Sequence, residues 1–320
     1  MSSDIQTWSS NGKLLITGEY LVMEGALAMA LPLKKGQSLS ICKNDANILR
    51  WQANTLDGIW FTADYDLNTL DIIVTDNTVL AQKLQDILIA TRGLSHTFLT
   101  DNMGFNVETD LDFNPEFGFG TSSTLISNIA IWADVDPYKL LGKTFGGSGY
   151  DIACARNVNP LFFQLVDSNP IITDVNFSPL FKDNLYFVYL GKKQSSVDGI
   201  EAFRKNASFT SSDIDAISEI SMKLIKSETL SDFDKLLTEH ELIMSRVLKM
   251  PTVKSLYFSD FPGAVKSLGA WGGDFVLMAS DLPEIELKLS LEKKGFNIVF
   301  RYDELVLNGK GARAQSFLCT

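Results

Sequence analysis

Four glycine-rich segments hold the residue types that could do chemistry. The first is Asn11-Gly12-Lys13-Leu14-Leu15-Ile16-Thr17-Gly18-Glu19-Tyr20. Two glycines frame an apolar run with Lys13 and Glu19 at its ends. A lysine beside glycine can meet phosphate as a mobile point charge; the plainer reading is a hairpin with edge charges. The second is Phe117-Gly118-Phe119-Gly120-Thr121-Ser122-Ser123-Thr124, which runs into an apolar helical segment. Glycines let the backbone approach an anion, and a helix N-terminus aims N–H groups and partial positive charge at it. The hydroxyls at 121–123 could ligate Mg2+ or phosphate oxygens, or simply cap the helix. The spacing is neither GxxxxGK[ST] nor GxGxxG. The third is Gly146-Gly147-Ser148-Gly149-Tyr150-Asp151-Ile152-Ala153. It puts Asp151 in the first turn of a short helix, either as an ordinary N-terminal charge or as a general base offered to a substrate hydroxyl. The fourth, Gly263 to Asp274, places glycines between two strands, as a bulged hairpin would.

These segments need elements to position them. The first 75 residues read as short strands at Ile5–Ser10, Lys13–Thr17, Gln37–Lys43, Ile48–Trp51, Ile59–Ala63 and Leu70–Thr75, with Asn-Gly (11–12) and Asp-Gly (57–58) as turns. Asn77 predicts an N-cap for a helix to Arg92, with Leu80, Leu84, Ile87 and Leu88 as its stripe. A strand at Met103–Glu108, a helix at Ser122–Ala133, a short helix at Tyr150–Arg156 and a strand at Pro160–Val166 follow. The stretch Asp167–Asp183, rich in Asp, Asn, Ser and Pro, predicts a boundary. We therefore expect domains at 1–180 and 181–320. The second half reads β–α–α–β–β–α–β: strand Leu185–Leu190, helices Ser212–Lys226 and Ser231–Met250, strands Ala264–Leu268 and Phe275–Ala279, helix Pro283–Lys294 and strand Asn297–Tyr302. That pattern is an antiparallel sheet covered by helices, an α+β class.

Composition removes other classes. The chain has 320 residues, 45% of them hydrophobic, enough for about two domains. With 28 basic and 39 acidic residues the net charge is −11, which argues against nucleic acid as a partner. Two histidines, His96 and His240, exclude a His-rich metal site. His240 reads as a core or cleft histidine on an apolar helix face. Cys42, Cys154 and Cys319 are odd in number and lack CxxC spacing, so no disulfide framework and a reducing, cytoplasmic setting are expected. Cys154 reads as buried packing. No apolar run reaches transmembrane length and no secretory leader is read at the start, so no membrane is expected.

Taken in order, the segments resemble the GHMP kinase superfamily. Gly12 to Tyr20 resembles its first motif. Gly118-Phe119-Gly120-Thr121-Ser122 resembles the GLGSS-type ATP loop, and Gly269-Ala270-Trp271-Gly272-Gly273 the GAGGGG-type third motif. The likeness spans most of the chain. Gly147-Ser148-Gly149-Tyr150-Asp151-Ile152-Ala153 is similar to the GSGxDxA segment of phosphomevalonate kinases, as are Gly191-Lys192-Lys193-Gln194-Ser195-Ser196 and the Asp that ends the third loop. The resemblance implies a ribosomal-S5-like N-terminal domain and a ferredoxin-like C-terminal domain around a cleft.

It also implies roles. Asp151 matches the catalytic aspartate and Lys13 the lysine near the transferred phosphoryl group. Gly118, Gly120, Thr121, Ser122 and Ser123 match the ATP-phosphate loop, with Ser122 as the Mg2+ ligand. Glu19, Ser148, Gly149, Ser195, Ser196, Gly269, Trp271, Gly272 and Gly273 match substrate-contact positions. ATP and Mg2+ are the implied cofactors, and the implied partner is a small molecule, phosphomevalonate or mevalonate-like, with a homodimer allowed. The competing readings are a mevalonate or sugar kinase, and a catalytically silent binding protein of the same fold. Two departures bear on the choice. Leu140 stands where mevalonate kinases carry a Mg2+-binding glutamate. Trp271 replaces a glycine of motif three, where an indole would narrow or block the substrate pocket. An acidic chain handling ATP must concentrate its cations, so Lys13, with Lys143, Lys192 and Lys193, is expected to face the cleft.

Overall fold

The computed structural model describes residues 5–100, 103–193 and 195–309. Its first part builds one large sheet. Strands β1 (Gln6–Leu15), β2 (Ala28–Asn44), β3 (Ile48–Thr55), β4 (Gly58–Asp66) and β5 (Ile72–Thr75) precede helix α1 (Thr78–Arg92) and strand β6 (Gly104–Leu111). Helices α2 (Thr121–Trp132), α3 (Pro137–Lys143) and α4 (Tyr150–Arg156) follow, then the hairpin of β7 (Leu161–Val166) and β8 (Asn169–Asp174). The order is β5-β4-β3-β6-β2-β7-β8, with β1 also on β2. All pairings are antiparallel except β3 with β6.

The second part begins with β9 (Leu185–Tyr189). It continues through α5 (Ser196–Asn206), α6 (Ser211–Leu224), α7 (Leu230–Leu248) and α8 (Val253–Tyr257), strands β10 (Val265–Leu268) and β11 (Phe275–Ala279), α9 (Glu284–Lys293), β12 (Val299–Arg301) and α10 (Tyr302–Leu305). Its sheet is antiparallel in the order β10-β11-β9-β12. The α+β expectation holds.

Local chemistry explains the elements. Asn77 caps α1 by accepting the Leu80 N–H at 3.1 Å, satisfying a donor that has no partner inside the helix. Leu84, Ile87 and Leu88 of α1 pack with Leu49, Trp51 and Ala53 of β3 and with Ile126 and Ile129 of α2. In β3 those residues alternate, so one face of the strand is apolar.

Four expectations need correction. Asn11-Gly12 is no turn: β1 is continuous, with a bulge between Asn11 and Lys13. Gly12 is needed there because a Cβ would sit 2.9 Å from the Lys35 carbonyl oxygen and 3.0 Å from that of Phe119. Six residues of the 167–183 stretch form strand β8 rather than loop, and its polar composition suits an exposed edge. Helices α3 and α5 were not expected. Helix α3 has only 7 residues and α5 only 11, too few turns to show an apolar period. Cys154 is a buried free thiol as expected, but Cys42 is disulfide-bonded; an odd cysteine count leaves room for one bridge.

The largest core lies between the two sheets. An aromatic cluster sits at its centre. Phe119 stacks on Phe275 of β11 with centroids 4.8 Å apart, and meets Phe113 and Phe117 edge-on at 5.5 Å each. Phe117 also meets Tyr189 of β9 at 5.0 Å. Phe119 is fully buried, so its removal leaves a cavity as well as lost transfer energy. Phe119→Ala is expected to cost about 3–5 kcal/mol of stability, read from the midpoint shift in urea unfolding.

Candidate active site

The phosphate-type loop is held by β1. The Lys13 backbone N–H donates to the Phe119 carbonyl at 2.9 Å, and the Lys13 Nζ donates to the Gly118 carbonyl at 2.9 Å. Gly118 and Gly120 take φ of 66° and 95°, the left-handed region that side chains resist. Gly120 is the N-cap of α2, and no side chain caps that end. Its first turn therefore presents backbone N–H groups to a cleft of about 520 Å3. Ser122 is exposed there. Ser123 is buried and gives its hydroxyl hydrogen to the Gly120 carbonyl at 2.9 Å.

The 146–149 loop brings α4 to the same cleft. Gly149 must be glycine: its φ is 90°, and a Cβ would press on the Tyr138 ring at 2.9 Å. Asp151 then faces the cleft from the first turn of α4, with one carboxylate oxygen accepting the Ile152 N–H at 3.1 Å. Burial raises the Asp151 carboxyl above its usual range, against the pull of Lys13. That is the direction a general base needs. Burial would lower the Lys13 ammonium, but Tyr150, Asp151 and Asp274 outweigh it, so Lys13 is held upward and charged. The Lys13 Nζ lies 5.6 Å from the centre of the Tyr150 ring. Burial pushes the Tyr150 hydroxyl up to about 12.

Of the residues expected at the site, Lys13, Glu19, Gly118, Gly120, Thr121, Ser122, Ser123, Ser148, Asp151, Ser195 and Gly269 line the cleft. Ser195 caps α5 by accepting the Asp198 N–H at 3.2 Å. The side chain of Ser196 lies outside the described residues. Gly149, Gly272 and Gly273 are not among the lining residues; Gly149 is a helix cap, and Gly272 faces Met250.

Two assignments change. Glu19 is only 1% exposed, and its carboxylate is paired with the Lys266 ammonium rather than offered to a ligand. Trp271 does not crowd the cleft. It is 2% exposed in the inter-sheet core, its indole N–H donates to the Pro251 carbonyl at 3.2 Å, and its backbone N–H donates to the Tyr20 hydroxyl at 3.2 Å. The motif comparison treats the position as backbone, but an apolar cavity under the loop takes the ring.

Sequence reasoning missed other lining residues. Lys83 of α1 faces the cleft, whereas Lys143 and Lys192 do not line it; Lys193 does, 3.6 Å from Glu116. Asp274 reaches the phosphate loop at Gly118 from the second sheet, at a φ of 52°. An apolar wall of Leu15, Val22, Met23, Val197 and Ile200 completes the cavity. The order of elements, which folds α5 over the loop after β1, is what gathers it.

The oxygen groups at the cleft are of the type a Mg2+–nucleotide would need. Exposed Ser122 and the carboxylates of Asp151 and Asp274 border the same cavity, and hard oxygen donors suit Mg2+. Leu140 is fully buried in the core beneath α2, so no carboxylate comes from that position. Among the described residues no group of three or more His, Cys, Asp or Glu gathers as a metal cage. This suits an ion carried mainly on phosphate oxygens.

No protein-family model and no curated protein sequence matches the chain. Solved structures do match its shape. The mevalonate kinase of Methanococcus jannaschii superposes with a TM-score of 0.70 at 16% identity, over 95% of this chain and 98% of that one. The phosphomevalonate kinase of Streptococcus pneumoniae, in complex with phosphomevalonate and AMPPNP, gives 0.68 at 17% identity, over 92% and 99%. The galactokinase of Lactococcus lactis, complexed with galactose, gives 0.66 at 11% identity, over 97% and 95%. These neighbours are GHMP kinases, and the chain has their fold.

Proposed function

We propose that the chain is an ATP- and Mg2+-dependent small-molecule kinase. The observation that carries this reading is the meeting of Lys13 and Asp151 at the mouth of a glycine loop that opens helix α2. The acceptor oxygen attacks the γ-phosphorus, the bond to the bridging oxygen breaks, and ADP leaves. The backbone N–H groups at 120–123 and the α2 N-terminus hold phosphate. Lys13, fixed by the Gly118 carbonyl, balances charge as it spreads over the transferred group. Mg2+, when bound, would neutralise charge on the nucleotide phosphates, with Ser122 as its protein partner. A hydroxyl acceptor would give its proton to Asp151. A phosphate acceptor needs no base, and positioning then dominates.

The acceptor we favour is phosphomevalonate, with mevalonate as second choice. The apolar wall of Leu15, Val22, Met23, Val197 and Ile200 fits a branched aliphatic chain better than a sugar ring, and Lys83 and Lys193 suit an anionic end. The silent-protein reading rested partly on Trp271, whose ring lies outside the cavity lining. The domain limits 1–180 and 181–320 remain part of the proposal, since the two sheets separate between β8 and β9, as does a cytoplasmic enzyme; among the described residues no helix is long and apolar enough to cross a membrane.

Lys13→Met is expected to lower kcat by about 10^2–10^3-fold with unchanged circular dichroism, and near wild-type turnover in it would sink the assignment; Asp151→Asn is expected to lower kcat by about 10^2–10^4-fold with a hydroxyl acceptor and by less with a phosphate acceptor. An ADP-release assay with ATP and Mg2+ across phosphomevalonate, mevalonate and galactose should show highest kcat/KM for phosphomevalonate. With a hydroxyl acceptor, the raised carboxyl of Asp151 predicts an acid limb in the kcat/KM profile. Activity falls as pH drops, starting above the usual carboxylate range of about 4, and Asp151→Asn removes that limb.

A further inference from the structure

Below the cleft lies a set of charges that the proposed reaction does not use. Lys266 of β10 is fully buried. Its ammonium pairs with Glu19, donates to the Ser267 carbonyl at 2.6 Å, and lies 3.5 Å from Glu241 of α7. Glu241 is 3% exposed and accepts the Ser267 N–H at 3.0 Å. His240, fully buried beside it, has its Nε2 3.0 Å from the Gly18 N–H and 3.3 Å from the Glu19 carboxylate. The segment after β1 is thereby tied to β10 and α7. That segment carries Tyr20, Val22 and Met23, which line the cleft. Tyr20 also stacks on Phe203 of α5 at 5.4 Å and accepts the Trp271 N–H.

We propose that Lys266, Glu19 and Glu241 are positioning residues, a buried charge latch that fixes the Tyr20–Met23 wall of the cleft, and that an exchangeable proton in the latch makes the wall's placement depend on pH. One ammonium faces two carboxylates, so the set carries one excess negative charge in a dry site, where an unpaired charge is costly. The second Glu19 oxygen and the His240 Nδ1 are both buried without a hydrogen-bond partner. The groups that could hold the proton are Glu19, Glu241 and His240; the facing charges come from Lys266 and from these carboxylates. Burial first, then Lys266, holds His240 well below its usual range, so it stays neutral. Burial pushes Glu241 up to about 7, against the pull of Lys266. Burial raises the Glu19 carboxyl as well, so the proton belongs to the pair of carboxylates that face Lys266, and removing either one removes the excess charge. A carboxyl raised in the folded state stabilises that state below its unfolded pKa and loses the effect as pH rises through about 7. The latch is tight at low pH and loosens above neutrality.

The test is hydrogen exchange of segment 15–24 in the full chain, corrected for the intrinsic pH dependence of exchange. It needs no acceptor, so it stands or falls apart from the kinase reading, on which only the kinetic arm below rests. Between pH 6 and 8.5 the protection of this segment is expected to fall about tenfold, the linkage for one carboxyl near 7. Glu241→Gln, nearly isosteric and without a titrating proton, should flatten that dependence. Lys266→Met should lower protection at both pH values; if it fails to fold, Glu241→Gln alone decides. A wild-type profile without pH dependence, or one that Glu241→Gln leaves unchanged, overturns the proposal. Where an acceptor turns over, Glu241→Gln should abolish the rise of acceptor KM above pH 7 while kcat keeps its own profile. A KM rise that persists in the variant counts against it.

Discussion

The close approach of Gly118–Gly120 to β1 is the constraint on which the rest depends. Three groups meet in a space that admits no side chain at Gly12: the Phe119 carbonyl on the Lys13 N–H, the Gly118 carbonyl on the Lys13 ammonium, and the bulge that lets β1 pass. The loop backbone must turn through left-handed glycines to leave β1 and enter α2. Phe119, between those glycines, points the opposite way and stacks in the aromatic core against β11. One short segment thus supplies the anion-binding end of α2, fixes the cation beside it, and packs the two sheets together. Glycine takes these left-handed angles at little steric cost, and the Phe119 stack fixes which of its accessible conformations the loop adopts.

That arrangement answers the charge problem of an acidic chain. With a net charge of −11 the protein repels anions at long range. Screening confines such repulsion to about 8–10 Å, so a few local cations can reverse it inside a cavity. Lys13 does so with its ammonium anchored rather than mobile, and Lys83 and Lys193 add charge at the rim. Asp151 and Asp274 sit close enough to keep Lys13 protonated. The same carboxylates would repel a bare phosphate, so the proposed reaction needs a divalent cation between them and the nucleotide.

What was legible in the sequence was local. The glycine loops, the Asn77 cap and the α1 stripe are read from short-range rules, and the loops pointed to Lys13, Asp151 and Ser122, which line one cleft, because backbone approach and helix ends leave a residue signature. What was not legible depended on distance. Whether Asn11-Gly12 was a turn or a bulge depended on Phe119, far along the chain. Whether Trp271 entered the cavity depended on space beneath the loop near Pro251 and Tyr20. Glu19 matched a substrate position by motif, yet its partner Lys266 is 247 residues away. Lys83 and the apolar wall had no motif at all; they reach the site only through how α1 and α5 pack.

The buried ions below the cleft raise the question of why charge is used where apolar contacts would cost less. Replacing a buried ion pair by hydrophobic residues is often neutral or stabilising by about 1–4 kcal/mol. A cluster kept despite that cost contributes geometry instead. Apolar side chains can slide against each other with little penalty, but the Lys266 ammonium has fixed partners in Glu19 and the Ser267 carbonyl. Any shift of the Gly18–Met23 segment relative to β10 would strip a charge of its partner. The segment that lines the cavity is therefore held in one register against the second sheet. The aromatic stack at Phe119 holds the phosphate loop by packing alone, and the charges at Lys266 hold the opposite wall by direction. The proposed phosphoryl transfer would require donor and acceptor to be closely aligned, and a cleft with one wall packed and the other electrostatically registered has the means to align them.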